Sequence, residues 1–188
     1  LFIRYRITNN SDATRPVRLF AAIRPFQVTP TWQNWEKFGG VSQINELAYE
    51  SGIVWVNRHK QIIPLTAPAE FGAVIFAQGA ITEYLQRGEL PSQDRVIDTF
   101  GYASGALRFD LNLPPHAAHE VFLAIPFGNV DTDTPAEPPE SGEEQFRIAV
   151  SQWESRLGTF DIHLPPVAAG VVETLKTAAA HVLINRAG

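Results

Sequence analysis

Residues 2–8 read Phe-Ile-Arg-Tyr-Arg-Ile-Thr, and this alternation decides the fold class. Ile3, Tyr5 and Ile7 fall on one face of an extended strand, while arginine and threonine side chains fall on the other. After a polar turn cluster, residues 15–23 alternate in the same way. A period of two with one polar face is typical of antiparallel sheets. The two stretches are therefore predicted to form an antiparallel hairpin or to lie as near neighbours.

Further strands are predicted from β-branched and aromatic runs that are bounded by turn residues. They span residues 42–49, 52–56, 61–65, 71–77, 105–111 and 120–125. Short strands at such close spacing favour a sandwich over alternating strands and helices. One short helix, at 81–87, is predicted to interrupt them. The fold class is thus predicted to be mainly β, an antiparallel β-sandwich followed by two C-terminal α-helices.

The composition divides the chain into three parts. Residues 1–128 form the predicted β-sandwich domain, residues 129–140 a linker rich in proline and acidic residues, and residues 141–188 a helical part. The linker prolines fix φ and remove backbone donors, which disfavours regular structure there. In the helical part, apolar residues recur at helical spacing, and helices are predicted at 141–157 and 165–185.

Charge and composition narrow the classes of partner. Fifteen lysines and arginines stand against twenty acidic residues, which gives a formal net charge of −5. There is no basic run, so nucleic-acid binding is not expected. No apolar stretch approaches about 18 residues, so no membrane span is expected. The chain has no cysteine, which excludes disulfides and thiolate metal sites. No targeting signal is visible, and the localisation stays open.

The sequence predicts no catalytic set, no metal site and no cofactor. The acidic linker residues are interpreted as a solvated loop, because a general acid in glycoside chemistry needs burial to raise its pKa. His116 and His119 form an H-x-x-H pattern, but two prolines precede it and a strand follows. These histidines are therefore predicted on a turn and a strand edge rather than on a zinc-binding helix.

The segment Trp32-Gln33-Asn34-Trp35 is the candidate carbohydrate-binding site. The apolar face of a pyranose stacks on an aromatic ring, and its hydroxyl groups bond to amides, so this composition suits a sugar surface. Alternatively, the two tryptophans cover a sheet edge or pack on a neighbouring domain. Trp55 lies between valines in a predicted strand and is predicted to be part of the core.

Four segments and their order carry a family resemblance. Residues 98–109 read Asp-Thr-Phe-Gly-Tyr-Ala-Ser-Gly-Ala-Leu-Arg-Phe, residues 122–128 Phe-Leu-Ala-Ile-Pro-Phe-Gly, residues 149–157 Ala-Val-Ser-Gln-Trp-Glu-Ser-Arg-Leu, and residues 175–186 Leu-Lys-Thr-Ala-Ala-Ala-His-Val-Leu-Ile-Asn-Arg. The layout resembles the N-terminal portion of bacterial six-hairpin glycosidases, a group that includes bacterial glucoamylases and sugar phosphorylases. Those proteins carry a galactose-mutarotase-like supersandwich, then a linker helix, then an (α/α)6 toroid.

The resemblance implies that the catalytic carboxylates belong to a toroid of which this chain holds only the first helix. It implies a non-catalytic β-sandwich fragment of a glycoside hydrolase or phosphorylase, packing on and shaping the entrance of that catalytic domain. No catalytic residue is carried over by position. The chain has no methionine and begins within a strand pattern at Leu1, so we expect a segment cut at both ends from a longer protein.

Two other functions stay open at this point. A free-standing carbohydrate-binding module would use Trp32 and Trp35. A mutarotase-like sugar epimerase would need a histidine and a carboxylate in one cleft, for which His59, His119 and Glu120 are the candidates. The predicted partners are the toroid domain of the same protein, an oligosaccharide, and a second copy of the chain contacting the apolar stripe of the C-terminal helix.

Overall fold

The computed structural model describes residues 1–29, 40–128, 141–159, 162 and 164–184. The chain divides into two compact units, Leu1–Gly142 and Glu143–Gly188. Eleven strands and one short α-helix lie in the described part of the first unit, and two longer helices occupy the second. The predicted mainly β, antiparallel fold with helices on its C-terminal side is confirmed.

The strands differ from the predicted ones mainly at their ends. Their bounds are β1 (Phe2–Thr8), β2 (Arg15–Ile23), β3 (Phe26–Thr29), β4 (Gly40–Ser42), β5 (Glu46–Glu50), β6 (Ile53–Val56), β7 (Lys60–Pro64), β8 (Glu70–Val74), β9 (Arg95–Ile97), β10 (Ser104–Leu113) and β11 (Ala118–Ala124). The helices are α1 (Ile81–Gln86), α2 (Gly142–Leu157) and α3 (Ala169–Ile184), with 3-10 turns at Phe76–Gln78 and Pro166–Ala168. Strands β3, β4 and β9 were not predicted, because each is very short; the predicted strand at 42–49 corresponds to β5 and includes only the last residue of β4. The predicted strand at 71–77 ends early, and Phe76 leaves the sheet in a 3-10 turn.

The strands of the first unit form two larger sheets and one small one. The six-stranded sheet has the order β1-β11-β7-β6-β5-β9, and the three-stranded sheet has the order β2-β10-β8. Strands β3 and β4 pair with each other. Every strand pair in these sheets is antiparallel.

The predicted hairpin of residues 2–8 and 15–23 is wrong. Strand β1 pairs with β11 in one sheet, whereas β2 pairs with β10 in the other. The buried side chain of Asn9 explains this separation, since its Nδ2 donates to the carbonyl oxygens of Ala13, Leu113 and Pro114 at 2.8, 3.0 and 2.9 Å. These bonds tie the β1–β2 turn to the β10–β11 turn at the point where the chain crosses between sheets. Buried carbonyl groups that would otherwise lack a partner favour this crossing over a simple hairpin.

Both larger sheets contribute to one cluster of buried side chains. In the six-stranded sheet, every second side chain of this part of β11 points into the core, and Val121 and Leu123 are buried there. In the three-stranded sheet, Leu107 and Phe109 do the same along the central strand β10. Trp55 is also buried, as predicted from its strand. Alternation with one inward face is what the period of two in the sequence encodes.

Burial of Tyr49 is expected to make the stability of the β-rich unit depend on pH in the alkaline range. Its ring stacks on Phe71 with the centroids 5.3 Å apart, and burial raises the pKa of the Tyr49 hydroxyl group. The pKa of Tyr49 is higher in the folded state than in the unfolded state. The stability that comes from burying the neutral hydroxyl group is therefore fully present below about pH 10 and is lost as the pH rises through the folded-state pKa.

We therefore expect the free energy of unfolding to fall above about pH 10, and to fall less steeply in Tyr49→Phe. Urea denaturation across this range measures both slopes. Equal slopes for the two proteins would show that Tyr49 does not contribute to the dependence.

The second unit contains an exposed apolar helix. An 18-residue window within Pro166–Ile184 has a mean hydropathy of 1.4, and none of that window is buried. By length and composition alone, this segment is long and apolar enough to cross a membrane. This finding differs from the expectation that no apolar stretch approaches this length. Glu173 and Lys176 lie within the segment, with their charged atoms 3.9 Å apart, and the segment still has this hydropathy.

Candidate aromatic binding site

The last residues of β2 and β8 and the first residues of β10 lie side by side at one end of the three-stranded sheet. The register pairs Gly105 with Ile23 and Ser104 with Val74. Because the pairs are antiparallel, the chain leaves β2 and β8 and enters β10 at the same edge. The connections there carry Arg24, Phe76 and Tyr102.

The buried carboxylate of Asp98 holds two of these connections together. Its side chain is 4% exposed. Oδ2 accepts a hydrogen bond from the backbone N–H of Phe76 at 2.7 Å, and Oδ1 accepts one from the backbone N–H of Phe100 at 2.8 Å. The Asp98 backbone N–H in turn donates to the carbonyl of Asn45 at 2.8 Å. Hydrogen bonds to a charged acceptor are stronger than neutral ones, so this carboxylate fixes both segments.

The turn that follows Asp98 is fixed by its backbone. Gly101 adopts a φ of 77°, a left-handed conformation that favours glycine. Its N–H donates to the Asp98 carbonyl at 3.1 Å, and its carbonyl accepts from the N–H of Ile44 at 2.9 Å. The N–H of Ala103 donates to the Ile44 carbonyl at 3.0 Å. Tyr102 is therefore presented from a turn that is bonded on both sides.

Phe76 and Tyr102 form an exposed ring pair. Their ring centroids are 5.6 Å apart with an interplanar angle of 49°. Phe76 is 65% exposed and Tyr102 39% exposed. Neither ring is needed to fill the core, and both keep apolar surface toward solvent. Adjacent exposed aromatic rings on a fixed backbone are a common feature of binding sites.

A pocket of about 220 Å³ lies beside the ring pair. The buried side chain of Ile81 contributes to its lining, and the polar side chains around it are Arg24, Thr82 and Ser104. Sites for drug-sized ligands span roughly 300–1,000 Å³, so this pocket suits one small unit, such as a single sugar ring. An aromatic lining with a few polar groups is the usual composition of a small-molecule site.

The predicted sugar-binding segment, Trp32-Gln33-Asn34-Trp35, lies outside the described residues, as does the acidic linker. The aromatic pocket was not predicted from the sequence. Phe76 was placed in a strand, and Tyr102 was noted only within the family resemblance. One local signal was present, since an aspartate two residues before an aromatic residue and three before a glycine suits an Asx-type turn at Asp98.

The H-x-x-H histidines occupy the predicted kinds of position. His116 lies on the β10–β11 turn with a φ of 56°, and its Nε2 is 2.9 Å from Oδ1 of Asp12. His119 lies on β11 opposite Ile7. Within the described residues, no group of three or more His, Asp and Glu side chains could hold a metal ion.

The side chains of His59, His119 and Glu120, considered for an epimerase, do not converge. His119 and Glu120 are consecutive on β11, so their side chains point to opposite faces of the sheet. Leu123 on β11 pairs with Pro64 on β7. From that pair, Glu120 lies three residues away in one direction and His59 five residues away in the other. At about 3.3 Å per residue, this separates the two by about 26 Å. Glu120 instead lies 3.4 Å from a guanidinium nitrogen of Arg6.

No protein family, curated protein or solved structure was found to match this chain. The chemistry of the pocket therefore provides the basis for a functional proposal. Its components are a solvent-facing ring pair, one guanidinium group and the hydroxyl groups of Thr82, Tyr102 and Ser104.

Proposed function

We propose that this chain is the non-catalytic β-sandwich part of a carbohydrate-active enzyme, a glycoside hydrolase or phosphorylase, and that it contacts saccharide at the substrate entrance. The observation that carries the proposal is the exposed pair of Phe76 and Tyr102, held at a polar pocket by the buried carboxylate of Asp98. A pyranose offers an apolar face to such rings and hydroxyl groups to the polar wall.

The expected affinity is modest. Aromatic stacking contributes about 0.5–1.5 kcal/mol beyond the burial of apolar area. Hydrogen bonds from hydroxyl groups add about 1 kcal/mol each, because both partners give up water. A dissociation constant of about 1 mM corresponds to only about 4 kcal/mol, which one stacked ring with a few hydrogen bonds can supply. Weak contacts of this kind suit a surface that guides a long substrate rather than one that retains it.

The fold supports placement in an enzyme of the six-hairpin type. Both larger antiparallel sheets contribute to one core, as expected of a supersandwich. In the proposed whole protein, the (α/α)6 domain supplies the chemistry and this part shapes its entrance. Turnover of aryl-glycosides or maltooligosaccharides by this chain alone would contradict the non-catalytic assignment.

We expect Phe76→Ala to weaken saccharide binding at least about tenfold, because the largest exposed ring surface of the pocket is lost. The matched control is Phe127→Ala, which removes a phenylalanine that is 97% exposed and does not line the pocket. A glycan array identifies the strongest saccharide, and titration followed by NMR measures each affinity. Equal weakening by both substitutions, or no saccharide binding at all, would contradict the proposal.

The exposed face of α3 supports the proposed helical partner. Along the segment 166–184, a set of large apolar side chains faces solvent on one side of the helix. They are Val167, Val171, Leu175 and Val182. Such a stripe on a soluble helix is usually covered by another element. We propose that toroid helices of the same polypeptide pack on this apolar face. A free-standing binding module would not need an apolar helix face of this kind.

When the toroid is lacking, we expect the chain to associate with itself through this face. Leu175→Glu should raise the dissociation constant of the dimer at least about tenfold, since it places a charge where apolar area would be buried. Thr177→Glu is the control, because residue 177 lies on the other side of the helix. Sedimentation velocity over a range of concentrations measures the association. A monomer at every concentration, or tight binding to lipid vesicles instead, would refute this assignment.

A further inference from the structure

We propose that the aromatic pocket selects a sugar unit that carries a carboxylate, a uronic acid, and that the Arg24 guanidinium is the group that recognises it. This inference rests on the proposed function, which places a saccharide against the ring pair of Phe76 and Tyr102. It adds the substrate class, since a neutral sugar would not require a cation in the lining.

Arg24 differs from most of the described arginines of the β-rich unit, because those form ion pairs with carboxylates. Arg108 lies 2.7 Å from a carboxylate oxygen of Glu70, and Arg58 lies 2.7 Å from one of Glu46. Across the part of the chain that the structure describes, no carboxylate forms an ion pair with Arg24. Its side chain is exposed and lines the pocket. A guanidinium in this position is available for a charged ligand.

None of the described residues that line the pocket is acidic, although the carboxylates of Asp98 and Glu83 lie close to it. Both carboxylate oxygens of Asp98 are occupied by the backbone donors of Phe76 and Phe100. Glu83 has its Oε2 3.7 Å from where a β-carbon on Gly79 would lie, but it does not line the pocket. The formal charge of the described lining is therefore a single positive one.

The volume and the lining of the pocket suit one uronate ring. A uronic acid bears its carboxylate on the ring edge, so the ring can stack on an aromatic side chain while the carboxylate points sideways toward a cation. Arginine presents paired N–H donors that match the two oxygens of a carboxylate. The hydroxyl groups of Thr82 and Ser104 remain for the hydroxyl groups of the sugar.

The test compares methyl glucuronide with methyl glucoside, two probes that differ at one carbon. We expect the wild-type chain to bind the glucuronide about tenfold or more tightly than the glucoside. Arg24→Gln should abolish that preference, because it should weaken binding of the glucuronide much more than binding of the glucoside. Arg18→Gln is the control of equal charge change, because Arg18 lies on β2, the strand that Arg24 follows, and does not line the pocket. The preference should also shrink as the salt concentration rises.

The outcomes separate this inference from the proposed function. A preference that persists in Arg24→Gln, or that Arg18→Gln removes equally, overturns the role of Arg24. Equal binding of both probes, weakened in Phe76→Ala, overturns the uronate preference and leaves the sugar-contacting role intact. Failure of the wild-type chain to bind either probe or any arrayed glycan overturns both.

Discussion

Phe109→Ala is expected to lower the free energy of unfolding by about 3–5 kcal/mol. Phe109 is 2% exposed and lies on β10, the central strand of the three-stranded sheet. Its side chain belongs to the cluster to which both larger sheets contribute. Removing the ring forfeits its transfer energy and leaves a cavity that strands bonded on both sides of β10 cannot close. The loss is a large part of the 5–15 kcal/mol that stabilises a typical domain.

Urea denaturation followed by circular dichroism measures this effect. Phe109→Leu should cost much less, because it keeps most of the buried volume, and Phe127→Ala should cost almost nothing, because that ring is exposed. A loss below about 1 kcal/mol for Phe109→Ala would mean that the two sheets do not share this core.

The strands whose alternation is long and regular were predictable from sequence. Strands β1 and β2 match their predicted bounds, because apolar and polar side chains alternate regularly over most of their length. Strand β9 has only three residues, and so short a stretch carries no periodic signal. The end of β8 was placed too late because Phe76 is aromatic and continues a β-like composition. The backbone turns there because Asp98, distant in sequence, accepts its N–H.

Strand pairing was less predictable than strand existence. Two alternating stretches joined by a polar turn read as a hairpin, yet β1 and β2 belong to different sheets. The deciding contacts are the bonds from Asn9 to Leu113 and Pro114, about a hundred residues away along the chain. Nothing in the local composition distinguishes an asparagine that caps its own turn from one that ties two turns together.

The candidate site was the least predictable part of the molecule. Arg24, Phe76 and Tyr102 are widely separated along the chain, and only the register of β2, β10 and β8 brings them to one edge. Trp32 and Trp35, which predict sugar binding from the sequence, lie within one segment of four residues, because a single sequence reveals only local combinations. The same chemistry, aromatic rings beside polar groups, recurs in the pocket from residues that only the fold assembles.

Asp98→Ala is expected to lower the free energy of unfolding by about 3 kcal/mol and also to abolish saccharide binding. The substitution leaves the backbone N–H groups of Phe76 and Phe100 without their acceptor. Each hydrogen bond to a charged group contributes about 1.5–3 kcal/mol, and part of this returns if water reaches the exposed donors. Phe76 then loses its fixed backbone, so the ring pair no longer presents one surface to a ligand.

Two variants distinguish positioning from general destabilisation. Asp94→Ala removes a nearby exposed carboxylate and should change neither stability nor binding. Asp98→Asn keeps the volume and one carbonyl oxygen but turns an amide donor toward one of the two N–H groups, so it should weaken binding while the chain stays folded at low temperature. Binding measured on folded Asp98→Asn therefore reports on the loop and not on unfolding. If this protein binds saccharide as tightly as the wild type, Asp98 only stabilises the fold, and the ring pair is held by other contacts.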